Sequence, residues 1–106
     1  MRIIGLIFSL SLVTLLWSQP SLAKISTKTV TYKSSHSKHL GFLAWDSKAK
    51  GKRPGILILP EWWGVNKDMK RKAVKMAKLG YVVLVADLYG QGKHTSDPKK
   101  AGELLT

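Results

Sequence analysis

The sequence contains no cysteine, and this absence limits both covalent cross-links and metal sites. No disulfide framework can stiffen the chain outside the cytosol. A structural zinc site is not expected either, because such sites usually use cysteine ligands and the three histidines have no partner at metal-ligand spacing. We interpret His36, His39 and His94 as surface residues, and we predict that the protein uses no metal and no cofactor.

A nucleophile motif is also missing. The sequence has no Gly-x-Ser-x-Gly or Gly-x-Cys-x-Gly pattern, the strand-to-helix turn on which α/β hydrolases carry their nucleophile. The glycines beside Gln91 do not form a phosphate-binding loop, because such a loop must open directly into a helix. Neither nucleophilic catalysis nor phosphate binding is therefore supported by a complete motif within these residues.

Acidic side chains are scarce, with 6 against 18 basic ones and a net charge of +12. Such an imbalance can indicate nucleic acid, anionic lipid or an acidic polymer as a partner. The lysines, however, are scattered through loops and along one predicted helix face, without the interleaved aromatic residues that bind single strands. We interpret them as a solvated basic surface and expect no nucleic-acid partner.

The long apolar run at the N-terminus is typical of a secretory signal peptide. A single positive charge precedes an apolar stretch over residues 3–17, which is shorter than the ~20 residues of a membrane-spanning helix. Ser21 and Ala23 then place small residues at the two positions that a signal peptidase reads. We predict export to the periplasm or the extracellular space, with removal of residues 1–23 and no stable membrane span in the remaining domain, residues 24–106. Retention of the segment as an anchor is the alternative.

The remaining residues predict a β-hairpin followed by a βαβ unit. Alternating or continuously apolar segments indicate strands at residues 29–32, 40–45, 56–59 and 81–86. Apolar side chains at helical spacing lie between the last two strands, where Asn66 is a good N-cap and Gly80 a good C-cap. A further helix should begin at Asp97-Pro98.

The loop after the first buried strand is the main candidate site. Glu61, Trp62 and Trp63 follow that strand directly, at the sheet edge where open α/β folds bind ligands. We expect Glu61 to be partly desolvated beside the two indoles and to orient a nucleophile or act as a base; a helix cap or a surface pair with lysine is the alternative. The indoles could line a pocket or merely cover the sheet edge, and the Trp62 N–H could donate to an oxyanion.

A second group of residues should reach the same edge from the end of the next buried strand. Tyr89 could hydrogen-bond a substrate or Glu61, or it could simply pack against the sheet. We interpret Asp87 as the cap of a turn rather than as a reactive group.

The segment Leu59–Asn66 resembles the first active-site loop of the dienelactone hydrolase family, within the α/β-hydrolase superfamily. The resemblance continues through the next helix and strand, through residues 87–93 and through residues 97–102, so that it covers roughly residues 30–106. It implies the N-terminal part of an α/β-hydrolase fold: a β-hairpin, a βαβ unit and the start of a further helix. We expect this chain to be a fragment or the product of a natural frameshift.

The resemblance also implies an activity and assigns roles to residues. Family members are hydrolases with a Cys or Ser nucleophile, an Asp and a His, and they act on lactones or esters. Glu61 matches the glutamate that contacts the nucleophile, and the Trp62 N–H matches the oxyanion donor, whereas the nucleophile, Asp and His have no counterpart here. The implied substrate-binding positions are Trp63, Tyr89 and Gln91. Members that act on dienelactone carry an arginine where Gln91 stands, which argues for another small ester or lactone.

Two other hypotheses remain open. The chain could be a non-catalytic, secreted, basic binding module, or a membrane-associated protein that keeps its signal segment. The substrate and the oligomeric state are not fixed by the sequence. If the superfamily's sheet order holds, the strand at residues 56–59 would be left as an exposed edge, so we also predict poor solubility or partial order for residues 24–106.

Overall fold

The computed structural model describes residues 22–106, so nearly all of the predicted signal peptide lies outside the described residues. Within residues 22–106, no helix is both long enough and apolar enough to cross a membrane. The elements, in chain order, are β1 Ile25–Lys33, β2 Lys38–Asp46, β3 Gly55–Ile58, α1 Lys67–Lys78, β4 Val82–Val85 and α2 Pro98–Leu104.

The predicted hairpin is present and is longer than the sequence pattern indicated. β1 and β2 pair antiparallel along their whole length, from Ile25 opposite Asp46 to Lys33 opposite Lys38. The added residues are mostly polar, and they extend the strands through backbone hydrogen bonds that side-chain alternation does not reveal. A short turn joins the strands, in which Ser34 N–H donates to the Ser37 carbonyl at 2.9 Å.

The βαβ unit is also confirmed. β3 pairs parallel with β4, β4 pairs antiparallel with β2, and the four strands lie in the order β1-β2-β4-β3. α1 packs on one face of this mixed sheet. The core consists of alanine and valine side chains and one methionine, namely Ala44, Val65, Met69, Ala73, Ala77, Val83 and Val85.

The predicted helix ends agree with the structure. The Asn66 side chain accepts a hydrogen bond from Met69 N–H at 3.0 Å at the start of α1. Gly80 follows the end of this helix with a φ of +102°, a conformation that favours glycine. Asp97 caps α2 in the same way, accepting from Lys99 N–H at 3.0 Å, with Pro98 in the first turn.

The strand at residues 56–59 is not buried on both faces, as its continuous apolar pattern indicates for a central strand, but it is the exposed edge that the superfamily's sheet order predicts. Ile56 and Ile58 pack against the core beneath α1, but Leu57 is 61% exposed and Leu59 is 63% exposed. The reason is that, among residues 22–106, only α1 packs on the sheet and it covers one face, and β3 pairs on one side only, with β4. Within residues 22–106, β3 is therefore an edge strand with an uncovered apolar face.

Candidate active site

The candidate site lies where the loops after β3 and β4 meet. Because these strands are parallel, their carboxyl ends reach the same edge of the sheet. A cavity of ≈ 330 Å³ opens there, lined by Pro60, Glu61, Trp62, Leu88, Tyr89, Leu104 and Leu105. Three of the predicted site residues, Glu61, Trp62 and Tyr89, thus line a single cavity.

The Tyr89 side chain contacts the backbone of the first loop. Its hydroxyl donates to the Trp62 carbonyl at 2.5 Å, so the hydrogen bond that we considered between Tyr89 and Glu61 is not formed. The Glu61 side chain turns instead toward α1, where its carboxylate lies 3.8 Å from the Lys72 ammonium. Tyr89 therefore positions the loop and leaves the carboxylate unrestrained by the phenol.

Our expectation that Glu61 is partly desolvated is wrong for the structure described. Its side chain is 63% exposed, and that of Lys72, its partner, is 55% exposed. The two indoles contact each other in a tilted arrangement, with ring centroids 4.8 Å apart and an interplanar angle of 51°. The surface pair with a lysine, the alternative interpretation, is the arrangement that the structure contains.

A tight turn shapes the backbone around Trp62. Gly64 N–H donates to the Glu61 carbonyl at 3.0 Å, and Gly64 has a φ of +81°. A Cβ at Gly64 would lie 2.5 Å from the Lys93 carbonyl oxygen, so only glycine fits. Thr95 N–H closes the far side of the loop by donating to the Trp63 carbonyl at 3.0 Å.

The turn leaves the Trp62 amide available. Its N–H donates no hydrogen bond to any group of residues 22–106, although its carbonyl accepts one from Tyr89. A backbone N–H at a cavity wall without a protein acceptor is the type of group that can bind a developing oxyanion.

Trp63 and Gln91 do not line the cavity that contains Glu61. Trp63 lines a different depression, together with Asn66 and Thr95. Gln91 lies near β2, where its N–H donates to the Lys38 carbonyl at 2.7 Å and its φ is +54°. The substrate-binding roles of these two residues remain predictions that this geometry does not support directly.

Asp87 caps the loop after β4, as the sequence indicated. The carboxylate is nearly inaccessible, at 2% exposure. It accepts from Gly90 N–H at 3.0 Å, from Gly92 N–H at 2.8 Å and from Leu40 N–H of β2 at 2.9 Å. The first two bonds are local, whereas the third ties the site loop to the hairpin and was not visible from the sequence.

His39 is not the simple surface residue that we predicted. Its Nδ1 lies 2.8 Å from the Asp87 carbonyl oxygen, and its ring stacks on Tyr32 with centroids 5.1 Å apart. The Tyr32 hydroxyl in turn accepts from Asp87 N–H at 2.8 Å. Both partners of Asp87 lie far away in the chain, so no local pattern could have identified them.

The described residues contain no cluster of side chains that could bind a metal ion. Across residues 22–106, no three or more His, Cys, Asp or Glu side chains lie together in a group that could hold a metal ion. The polar groups of the site are a carboxylate, a phenol and backbone amides. Such a set can hold and polarise a carbonyl compound, but the residues that line this cavity include neither a cysteine nor a serine nucleophile.

Comparison with known proteins connects this geometry to a family. The sequence model of the dienelactone hydrolase family matches residues 40–106. "Protein usf" of Aquifex pyrophilus is 34% identical over 56 residues, which are 50% of this chain and 24% of that protein. "Putative hydrolase fragment YghX" of Escherichia coli strain K12 is 31% identical over 84 residues, which are 76% of this chain and 72% of that protein.

A solved structure has the same fold over the same region. It is the crystal structure of a dienelactone hydrolase-like promiscuous phosphotriesterase from metagenomic libraries, with a TM-score of 0.71 and 29% identity. The match covers 74% of this chain and 33% of that one. The chain thus spans about a quarter of the first curated relative and a third of this structure, but most of the fragment from Escherichia coli.

Proposed function

This chain belongs to the dienelactone hydrolase family, and on that premise we propose that it forms one wall of a site that cleaves carboxylic ester or lactone bonds. The observation that carries the proposal is the cavity at the carboxyl edge of β3 and β4, which brings together Glu61, the Trp62 amide and Tyr89. Its position and polar groups suit a small carbonyl substrate.

The proposed reaction is nucleophilic acyl transfer. A Cys or Ser side chain attacks the carbonyl carbon, the carbonyl oxygen becomes an oxyanion, and water later releases the acyl group. The Trp62 N–H, which has no acceptor within residues 22–106, would stabilise that oxyanion. Glu61, at the mouth of the cavity, would hold the nucleophile in its resting position.

Residues 1–106 contain no Gly-x-Ser-x-Gly or Gly-x-Cys-x-Gly elbow. We therefore propose that these residues by themselves are inactive as a hydrolase. A complete site would need a nucleophile, an aspartate and a histidine from outside these residues.

The DNA that follows the Thr106 codon tests this proposal. We expect a reading frame that encodes a Gly-x-Cys-x-Gly or Gly-x-Ser-x-Gly elbow, followed by an aspartate and a histidine. If no such frame exists, the proposal of a hydrolase site is wrong for this protein.

We also propose export through the N-terminal segment, with cleavage after Ala23. The supporting observation is the Ser21-Leu22-Ala23 sequence behind an apolar stretch. Intact-mass analysis of the protein recovered from the periplasm or medium tests it. A mass that includes residues 1–23 would support the alternative of a retained anchor.

A basic binding module is the second candidate function. It is favoured by the exposed basic side chains of α1, namely Lys67, Lys70, Arg71, Lys72, Lys75 and Lys78. A binding partner held by these charges should be released as salt rises, because exposed charges are screened within ~8–10 Å at physiological ionic strength. Salt-independent behaviour on a polyanion column would count against this function.

A further inference from the structure

The backbone of Lys24 is held firmly before β1 begins. Its N–H donates to a carboxylate oxygen of Asp46 at 3.0 Å. Its carbonyl accepts from the Ser47 N–H at 2.9 Å and from the Ser47 hydroxyl at 3.1 Å. The end of β2 and the residue after it therefore bind both backbone polar groups of Lys24, the residue that follows the predicted cleavage site.

We propose that Asp46 is the receptor for the new N-terminus that cleavage between Ala23 and Lys24 creates. This inference goes beyond ester hydrolysis and rests on the proposed export. Water is added across the peptide bond, Ala23 keeps the carboxylate, and the Lys24 nitrogen leaves as an amine that takes up a proton. An amide donor beside Asp46 thereby becomes an ammonium group, and a hydrogen bond becomes an ion pair.

The position of the bond fits this processing. Leu22 is 83% exposed, and Ala23 and Lys24 are also exposed and lie outside any regular element. Strand β1 begins at Ile25, whose partner in the ladder is Asp46 itself. Cleavage before Lys24 therefore leaves every β1–β2 pair in place.

The charge of the receptor is suited to an ammonium group. Hydrogen bonds from the N–H groups of Lys48, Lys24 and Ala49, in that order of effect, together with nearby Arg53, hold the pKa of the Asp46 carboxyl below its usual range, while desolvation opposes this. The carboxylate is therefore ionised at neutral pH.

Cations also face this site. Arg53 donates to the Asp46 carbonyl at 2.7 Å. Lys24 and Lys48 each contact the Asp46 carboxylate through a backbone N–H, and both also carry a positively charged side chain. These positive charges oppose part of the attraction between Asp46 and the new ammonium. The net effect on the pKa of the amine should therefore be upward but moderate.

A raised pKa has a definite consequence for stability. The ion pair stabilises the processed protein fully at pH values below the ordinary pKa of an α-amino group, about 7.7–8.0. The stabilisation is lost as the pH rises through the higher pKa of the folded state. Replacement of Asp46 should remove this dependence on alkaline pH.

The experiment measures the pKa of the Lys24 α-amino group by NMR in the processed protein recovered after export. We expect a value at least about 0.5 above the ordinary 7.7–8.0. Asp46→Asn should return the pKa to that range. Asp68→Asn is the matched control, because it removes an equal charge from an exposed position on α1 and should leave the pKa raised.

A second variant keeps Asp46 and moves the N-terminal ammonium group away from it. One extra alanine ahead of Lys24 in the processed chain restores the amide N–H at that position and shifts the ammonium by one residue, so its pKa should be ordinary. An ordinary pKa in the unaltered processed protein overturns the proposal, as does an equally raised pKa in the extended variant. An intact mass that shows cleavage at another bond overturns it as well.

Discussion

At the scale of single residues, Asp87 does most to position the site. Its buried carboxylate accepts three backbone N–H groups, two from its own loop and one from β2. The Tyr89 loop is held against the hairpin by these bonds, and Tyr89 in turn holds the Trp62 carbonyl. The geometry of the cavity therefore depends on a residue that does not line it.

Asp87→Asn should destabilise the protein by at least about 2 kcal/mol, because an amide cannot accept all three N–H groups and leaves buried donors unpaired. Urea unfolding measures the change. Asp97→Asn is the control, since Asn caps a helix about as well as Asp. Equal effects of the two substitutions would show that the Asp87 network contributes little.

Glu61→Gln should change stability by less than about 1 kcal/mol, because the pair with Lys72 is exposed and its members are 3.8 Å apart. In a protein that also carries the nucleophile, the same change should lower turnover markedly. Glu103→Gln, on exposed α2, is the control for a lost carboxylate. A large drop in melting temperature with normal turnover would make Glu61 a structural cap instead.

At the scale of elements, β3 is one of the two edge strands of the sheet. Within residues 22–106 it pairs only with β4, and the side chain of its Leu57 is 61% exposed. An uncovered apolar strand with free backbone groups is a template for pairing with another chain. Self-association of residues 24–106 should therefore proceed through this strand.

Leu57→Lys should reduce that self-association with little loss of stability, because the side chain is already in solvent and a charged edge resists pairing. Sedimentation velocity measures the association. Leu79→Lys is the matched control, since Leu79 is 77% exposed but caps the end of α1 and belongs to no strand. Identical sedimentation of both variants and the unaltered protein would argue against the β3 edge as the contact.

Elements with local signals were predictable from the sequence. Asn66, Gly80 and Asp97-Pro98 act on backbone groups within a few residues of themselves, so their roles follow from residue type and position. The same holds for the turn of the hairpin. Where the stabilising interactions join residues close in sequence, the prediction agreed with the structure.

Features that depend on distant contacts were not predictable. His39 is held by the Asp87 carbonyl, 48 residues away, and the carboxylate of Glu61 is exposed because α1 and the two indoles leave it uncovered. The exposure of Leu57 does not follow from the apolar pattern of its strand, because such a strand has the same pattern whether one or both of its faces are covered. The burial of such side chains depends on how whole helices and strands pack together.

At the scale of the whole molecule, the core is small for a stable domain. Among residues 22–106, the largest fully buried side chains are Val83, Val85 and Asp87. A small domain buries only about 60–65% of the surface of its unfolded chain, which leaves a narrow margin of stability. The described residues also form only part of an α/β domain, since they match a third of the related solved structure.

The central claim is that residues 24–106 hold a wall of an acyl-transfer site without its nucleophile. Its most direct test is the hydrolysis of p-nitrophenyl acetate by the processed chain, measured against buffer and against Glu61→Gln. We predict no turnover above the background of the protein-free reaction, because neither Glu61 nor the Trp62 amide can form the acyl intermediate. Turnover that rises in proportion to protein and survives Glu61→Gln would contradict the account.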